Sequence, residues 1–112
     1  PRPPGGGMAM RAGTEVTVVR IYLSGGPAQL DNLLKRLHDW EKVRGVTVFR
    51  GIAGYGDTDQ ENHASKFADL SLELPVVVEF FDLPEKVEAI VDHLGPNIKP
   101  GHMLSWTARI ND

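Results

Sequence analysis

The chain contains no cysteine. That removes a disulfide framework, a thiolate nucleophile and a zinc–thiolate site together, and it fits a reducing compartment. Nor is there a cluster of Lys and Arg: 12 basic residues stand against 15 acidic ones, for a net charge of -3. The broad basic surface that neutralises nucleic-acid phosphates is therefore absent, and nucleic acid is not an expected partner. No apolar run approaches the roughly 18 residues that cross a bilayer, and no apolar signal core stands near the N-terminus. A cytoplasmic location is the expectation. Catalytic arrangements are missing too: no Ser, His and Asp sit at a recognisable nucleophile elbow, and paired carboxylates occur only on a polar loop or on helix surfaces. We read the chain as a non-enzyme.

What remains is 112 residues, 41% of them hydrophobic, enough for one modest core and too few for two comfortable ones. Residues 1–13, "PRPPGGGMAMRAG", hold nothing periodic to bury. They read as a disordered or expression-remnant N-terminus, with Met8 or Met10 as a candidate native start, ahead of a single domain over 14–112. "TEVTVVRIYLS" is rich in β-branched residues, with Val19, Ile21 and Leu23 alternating on one face. Val16, Val18, Arg20 and Tyr22 make the other face, which is apolar enough to meet protein as well.

The period then changes. Leu30, Leu33, Leu34, Leu37 and Trp40 fall on one helical stripe, with Pro27 near the first turn and Gly45 as the expected stop. β character resumes in "VTVFRGIAGYG" and again in "LELPVVVEFFD", residues 72–82, with a long polar connection between them. Such loops are uncommon in compact domains and often functional, so residues 56–70 are the first place to look for binding. "DLPEKVEAIVDHL" spaces Val87, Ile90, Val91 and Leu94 as a second helix, with Asp82 and Glu85 placed like a capping pair. "HMLSWTARI" closes with Leu104, Trp106, Ala108 and Ile110 on one side of a fourth strand.

The order βαββαβ makes the expected fold α+β and ferredoxin-like: a four-stranded antiparallel sheet with both helices on one face. The uncovered face would carry Val16, Val18, Tyr22, Val77 and Phe81. At roughly 25 cal/mol per Å2, leaving these wet forfeits several kcal/mol, and association through that face is the natural remedy.

Arg50, Gly51, Gly54, Tyr55 and Gly56 stand where strand two meets the loop. The spacing G-x-x-G-x-G does not open a helix, so the dinucleotide fingerprint fails on context. Two readings stay open: a bulged strand end that bends the hairpin outward, or a nest of backbone N–H groups with Arg50 beside it to pair a phosphate. Arg50 would equally suit a carboxylate such as Glu79 across the hairpin. Tyr55 suits base stacking or packing against a neighbour. His63, near Asp57, Asp59 and Glu61, lacks calcium-loop or zinc spacing and reads as part of a solvated acidic loop. His38, His93 and His102 read as surface imidazoles.

"RGIAGYG", then His63 and Ser65, then "DLSLELPVVVE" resemble the PII-like proteins of unknown function, relatives of the PII nitrogen-regulatory signalling proteins, from about Val18 to Ile110. The resemblance implies a homotrimer whose sheets face a central core. It also implies clefts between subunits for a small anionic effector such as an adenine nucleotide, and a loop at 56–70 that reports ligand state to a target. The expected site is Arg50, Gly51, Gly54, Tyr55 and Gly56, with Lys99 donated by a neighbour. Genes of such proteins sometimes neighbour fluoride exporters, which makes a membrane transporter a candidate target. The sequence departs from PII proteins proper: "GPNIKPGH" replaces their glycine-rich phosphate turn, and their tyrosine modification motif is absent. A rival reading, by similarity to the trimeric divalent-cation tolerance proteins, is a metal-ion-binding stress protein using His63 and the loop acids. Acylphosphatases share the fold order but need an arginine-bearing cradle where this chain has "LSGGPAQ".

Overall fold

A computed structural model describes residues 13–23, 26–53 and 76–112. Strand β1, Thr14–Leu23, leads into helix α1, Pro27–Lys35, which continues through a wider turn, Arg36–Trp40. β2 (Gly45–Arg50), β3 (Val76–Asp82), helix α2 (Pro84–Leu94), a short 3-10 turn (Gly95–Asn97) and β4 (Met103–Ile110) follow. The four strands form one sheet in the order β2-β3-β1-β4, every neighbouring pair antiparallel. Two βαβ units are thus interleaved, and the expected ferredoxin-like arrangement is the observed one.

Alternation decides the two faces. Val19, Ile21 and Leu23 of β1 and Val78 and Phe80 of β3 pack with Leu33 and Leu37 of α1 and with Val87, Ile90 and Leu94 of α2. Each such side chain, fully buried, contributes about 1.5–3 kcal/mol. On the opposite face the register sets Val18 between Phe81 and Trp106, Arg20 between Glu79 and Leu104, and Tyr22 beside Val77. This face is less bare than its sequence suggests. Val16 is only 1% exposed, Val18 is also buried, and Tyr22, Val77 and Phe81 are half-buried. The wet apolar side chains stand instead on the two edge strands: Phe49 of β2, 47% exposed, and Leu104 and Trp106 of β4, 45% and 39% exposed. Large side chains on the flanking strands narrow water's access to the central valines, whereas an edge residue has a neighbour on one side only.

Three local expectations are corrected. Trp40 does not continue the α1 stripe but is 76% exposed. The turn before it is one residue wider than an α-turn, with Glu41 N–H donating to the Arg36 carbonyl at 2.9 Å, and this swings positions after Leu37 off the stripe. Gly45 does not end the helix. Lys42 does, at φ 52, with Val43 N–H reaching back to the Leu37 carbonyl at 3.1 Å. Gly45 belongs to β2, where an added Cβ would lie 2.5 Å from the Phe81 ring.

Asp82 is not the cap of α2; Leu83 is, without a side-chain bond, and Pro84 occupies the first turn. The buried Asp82 carboxylate accepts from Leu83 N–H at 2.7 Å, from Arg44 N–H at 2.9 Å and from Lys86 Nζ at 3.1 Å. Lys86 Nζ also donates to the Lys42 carbonyl at 2.8 Å, so one ammonium ties the end of α1 to the start of α2.

Candidate functional site

Arg50 and Lys99 come to the same end of the sheet by different routes. β2 runs towards that end and stops at Arg50, while β4 starts from it, just after Lys99. Arg50 is exposed at the last rung of an edge strand, opposite Val76, and the chain leaves through the half-buried Gly51. Lys99 is held by a tight turn. Its carbonyl accepts from His102 N–H at 3.1 Å across Pro100 and Gly101, the latter at φ 83. Proline followed by a left-handed glycine is the sequence a type II turn demands.

His102 fastens this turn to the sheet and is not the surface imidazole its sequence suggests. It is half-buried, its carbonyl accepts from Tyr22 N–H at 2.9 Å, and its Nδ1–H donates to the Tyr22 carbonyl at 3.1 Å. A carbonyl only accepts, so this bond places the ring proton on Nδ1. No sequence signal announces the role, because the partner lies 80 residues away. His38 and His93 match expectation: both are exposed, with Nδ1 atoms 2.7 Å from Asp39 and 3.2 Å from Glu41.

Within the chain the two cations do not meet. Their strands occupy opposite edges of a four-stranded sheet, three spacings or about 14 Å apart. Neither makes an ion pair among the described residues. Of the two partners open to Arg50 in the sequence, the register removes Glu79, which faces Thr47 on the side of the sheet away from Arg50. Glu79 instead accepts from Arg20 Nε at 3.1 Å and Nη2 at 2.7 Å, and the same guanidinium lies 5.3 Å from the Trp106 ring centroid. The bond to Glu79, and then one to Tyr22, holds the Arg20 pKa above its ordinary value. This polar cluster in the middle of the uncovered face was missed as a site. Its signal was Arg20 itself, a cation on an otherwise apolar strand.

Gly54, Tyr55 and Gly56, and the loop acids with His63, lie outside the described residues. Among the described residues no group of His, Asp and Glu is placed to hold a metal ion, and no helix is long and apolar enough to cross a membrane.

Residues 16–110 match the family profile DUF190, "Uncharacterized ACR, COG1993". The chain belongs to the DUF190 family. A UPF0166 protein of Aquifex aeolicus (strain VF5) is 44% identical over 52 residues, which are 46% of this chain and 49% of that protein. A second match to a UPF0166 protein of that organism is 37% identical over 70 residues, 62% of this chain and 70% of the relative. The chain thus spans about half the length of the first relative.

Among solved structures, this DUF190 chain is similar to CPII from Thiomonas intermedia K12 bound to ADP and bicarbonate. The TM-score is 0.62 at 15% identity, over 88% of this chain and 90% of that one. The apo form of CPII, described as a nitrogen regulatory PII-like protein, gives 0.53 at 14% identity over 88% and 91%. A further CPII structure holds ADP, AMP and acetate. At such identities the likeness establishes the fold, and that fold is PII-like.

Proposed function

We propose that this DUF190 protein is a non-enzymatic, cytoplasmic regulator that assembles as a homotrimer. It binds a small anion, with an adenine nucleotide as first candidate, in clefts between subunits, and it presents residues 56–70 to a target protein. The observation that carries the reading is the placement of Arg50 and Lys99. Two exposed cations lie at one end of the sheet, without ion pairs among the described residues, on edges too far apart to share a ligand within one subunit. A neighbouring subunit would bring one edge to the other and close a two-cation cradle for a phosphate. The nucleotides and small anions held by CPII support this choice of effector class.

Ligand that contacts the 56–70 segment in only one arrangement would favour that arrangement by its differential affinity, and this would carry the signal. Thermal unfolding with ADP, AMP, ATP and bicarbonate tests the reading. At a ligand concentration 100-fold above Kd, stabilisation is about 2.7 kcal/mol, a shift of several degrees. Arg50→Ala and Lys99→Ala are each expected to abolish the shift while leaving the ligand-free melting temperature unchanged. No shift with any of these ligands would leave an assembly without an effector.

A further inference from the structure

Trp40 is the most exposed large apolar side chain described in the helical layer, at 76%, and the chain around it is built to keep it there. The wide turn Arg36–Trp40 carries the indole off the stripe that buries Leu33 and Leu37. Single wide turns of this kind occur frequently at functional sites. Two residues on, Lys42 holds φ 52, a conformation in which glycine would be more stable, so the fold alone does not account for a long cationic side chain there. Nor does pairing: among the described residues the side chains of Lys42 and Arg44 enter no ion pair.

An indole buries a large rigid area at little entropic cost, which is why Trp so often anchors contacts between proteins. The charges beside it set the sign of the partner. Residues 35–44 hold four cations, Lys35, Arg36, Lys42 and Arg44, against two acids, in a chain whose net charge is -3. Both acids are engaged: Glu41 is turned inward onto Arg36 Nε at 3.8 Å and His93 Nδ1 at 3.2 Å, and Asp39 lies 2.7 Å from His38 Nδ1. An exposed aromatic followed by two unpaired cations fits a segment that offers an apolar side chain and carboxylates. A bilayer fits less well, since attachment there needs a broad apolar face or a polybasic patch, and this corner has one indole with charges of both signs. β2 begins just after the corner and runs away from it to Arg50, so the corner stands at the end of the sheet opposite Arg50 and Lys99.

We infer that the corner of Trp40, Lys42 and Arg44 is a docking surface for an acidic segment of a partner protein, one of whose apolar side chains covers the indole while its carboxylates pair with the two cations. The inference goes beyond the effector site and does not rest on it. The probe is a short synthetic peptide alternating Asp and Glu with Leu and Phe, titrated into the isotope-labelled full chain. The indole N–H resonance of Trp40, identified by its loss in Trp40→Phe, is expected to shift saturably at millimolar peptide, with that of Trp106 unmoved. Trp40→Ala is expected to weaken binding about tenfold or more, and Lys42→Glu combined with Arg44→Glu about tenfold. The charge-reversed variant is also expected to bind the counterpart peptide with Lys in place of its acids, to which the wild type gives no response. Thermal unfolding of the variants, unchanged from wild type, separates lost docking from lost fold.

Absence of a shift at Trp40 with the acidic peptide overturns the inference, as does a shift that charge reversal leaves unchanged. Co-sedimentation with vesicles of phosphatidylglycerol and phosphatidylcholine, lost in Trp40→Ala and without peptide binding, would make the occupant a lipid surface and overturn it too. So would self-association abolished by Trp40→Ala, which would make the occupant a second copy. Peptide binding without any nucleotide shift would sink the effector reading alone, whereas a nucleotide shift without peptide binding would sink this one alone.

Discussion

Asp82 shows how one carboxylate holds several segments in place. Burial, the largest single influence, pushes its pKa up, but the bonds from Leu83 N–H, Lys86 and Arg44 N–H together outweigh it and hold the pKa below the ordinary 3.8. A depressed folded value means stabilisation that is complete above the unfolded pKa and lost as the pH falls through the folded one. Asp82→Asn removes the charge and turns one acceptor into a donor facing a backbone N–H. The expected cost is about 2 kcal/mol at neutral pH. Urea unfolding at pH 7 should show that gap in full, and it should shrink as the pH falls below the ordinary carboxylate range and the wild-type carboxylate takes up its proton. A gap unchanged at acid pH would mean that the carboxylate's charge contributes nothing. Lys86→Met breaks the bonds to Asp82 and to the Lys42 carbonyl from a half-exposed position, and about 1 kcal/mol is expected.

Elements end and pair here by two backbone devices with opposite predictions. Lys42 sits at φ 52, which costs an L-residue roughly 1–2 kcal/mol and a glycine nothing. After the extra chain entropy of glycine, Lys42→Gly should stabilise by about 0.5–1 kcal/mol. At Gly45 the Phe81 ring occupies the space of a Cβ, so Gly45→Ala should destabilise by about 1–2 kcal/mol through a displaced ring. Paired chemical denaturation curves check both signs. The strands and α2 were legible because burial on one face imposes a period, as Val19, Ile21 and Leu23, and then Val87, Ile90 and Leu94, show. The wide turn before Trp40 was not, because nothing in the local pattern marks an extra residue per turn. The partner of Glu79 was not legible either. Val48 and Phe49 are both apolar, so alternation alone does not say which face of β2 meets the helices, and only pairing with β3 puts Arg50 on one side and Glu79 on the other. Of the candidate site, the places of Arg50 and Lys99 followed from the order of elements, while the anchoring by His102 depends on a contact across most of the chain.

For the molecule as a whole, the uncovered face poses a problem of specificity. In the proposed homotrimer the apolar flanks would favour association in many registers, and the Arg20–Glu79 pair at the centre of the face would tolerate only those that leave both charges partnered. Removing one member of an ion pair that association desolvates strands the other, whereas removing both does not. If the proposed homotrimer buries this face, Glu79→Leu is therefore expected to weaken self-association at least about tenfold, because Arg20 would then be desolvated without its carboxylate. Arg20→Leu combined with Glu79→Leu should recover wild-type association or exceed it, with a broader distribution of assembly sizes, since nothing polar would then fix the register. Sedimentation equilibrium over a range of protein concentrations measures both effects. If the single variant associates as tightly as the wild type, the pair stays in water in the assembled protein. In the proposed homotrimer the sheets would then enclose an open, hydrated centre.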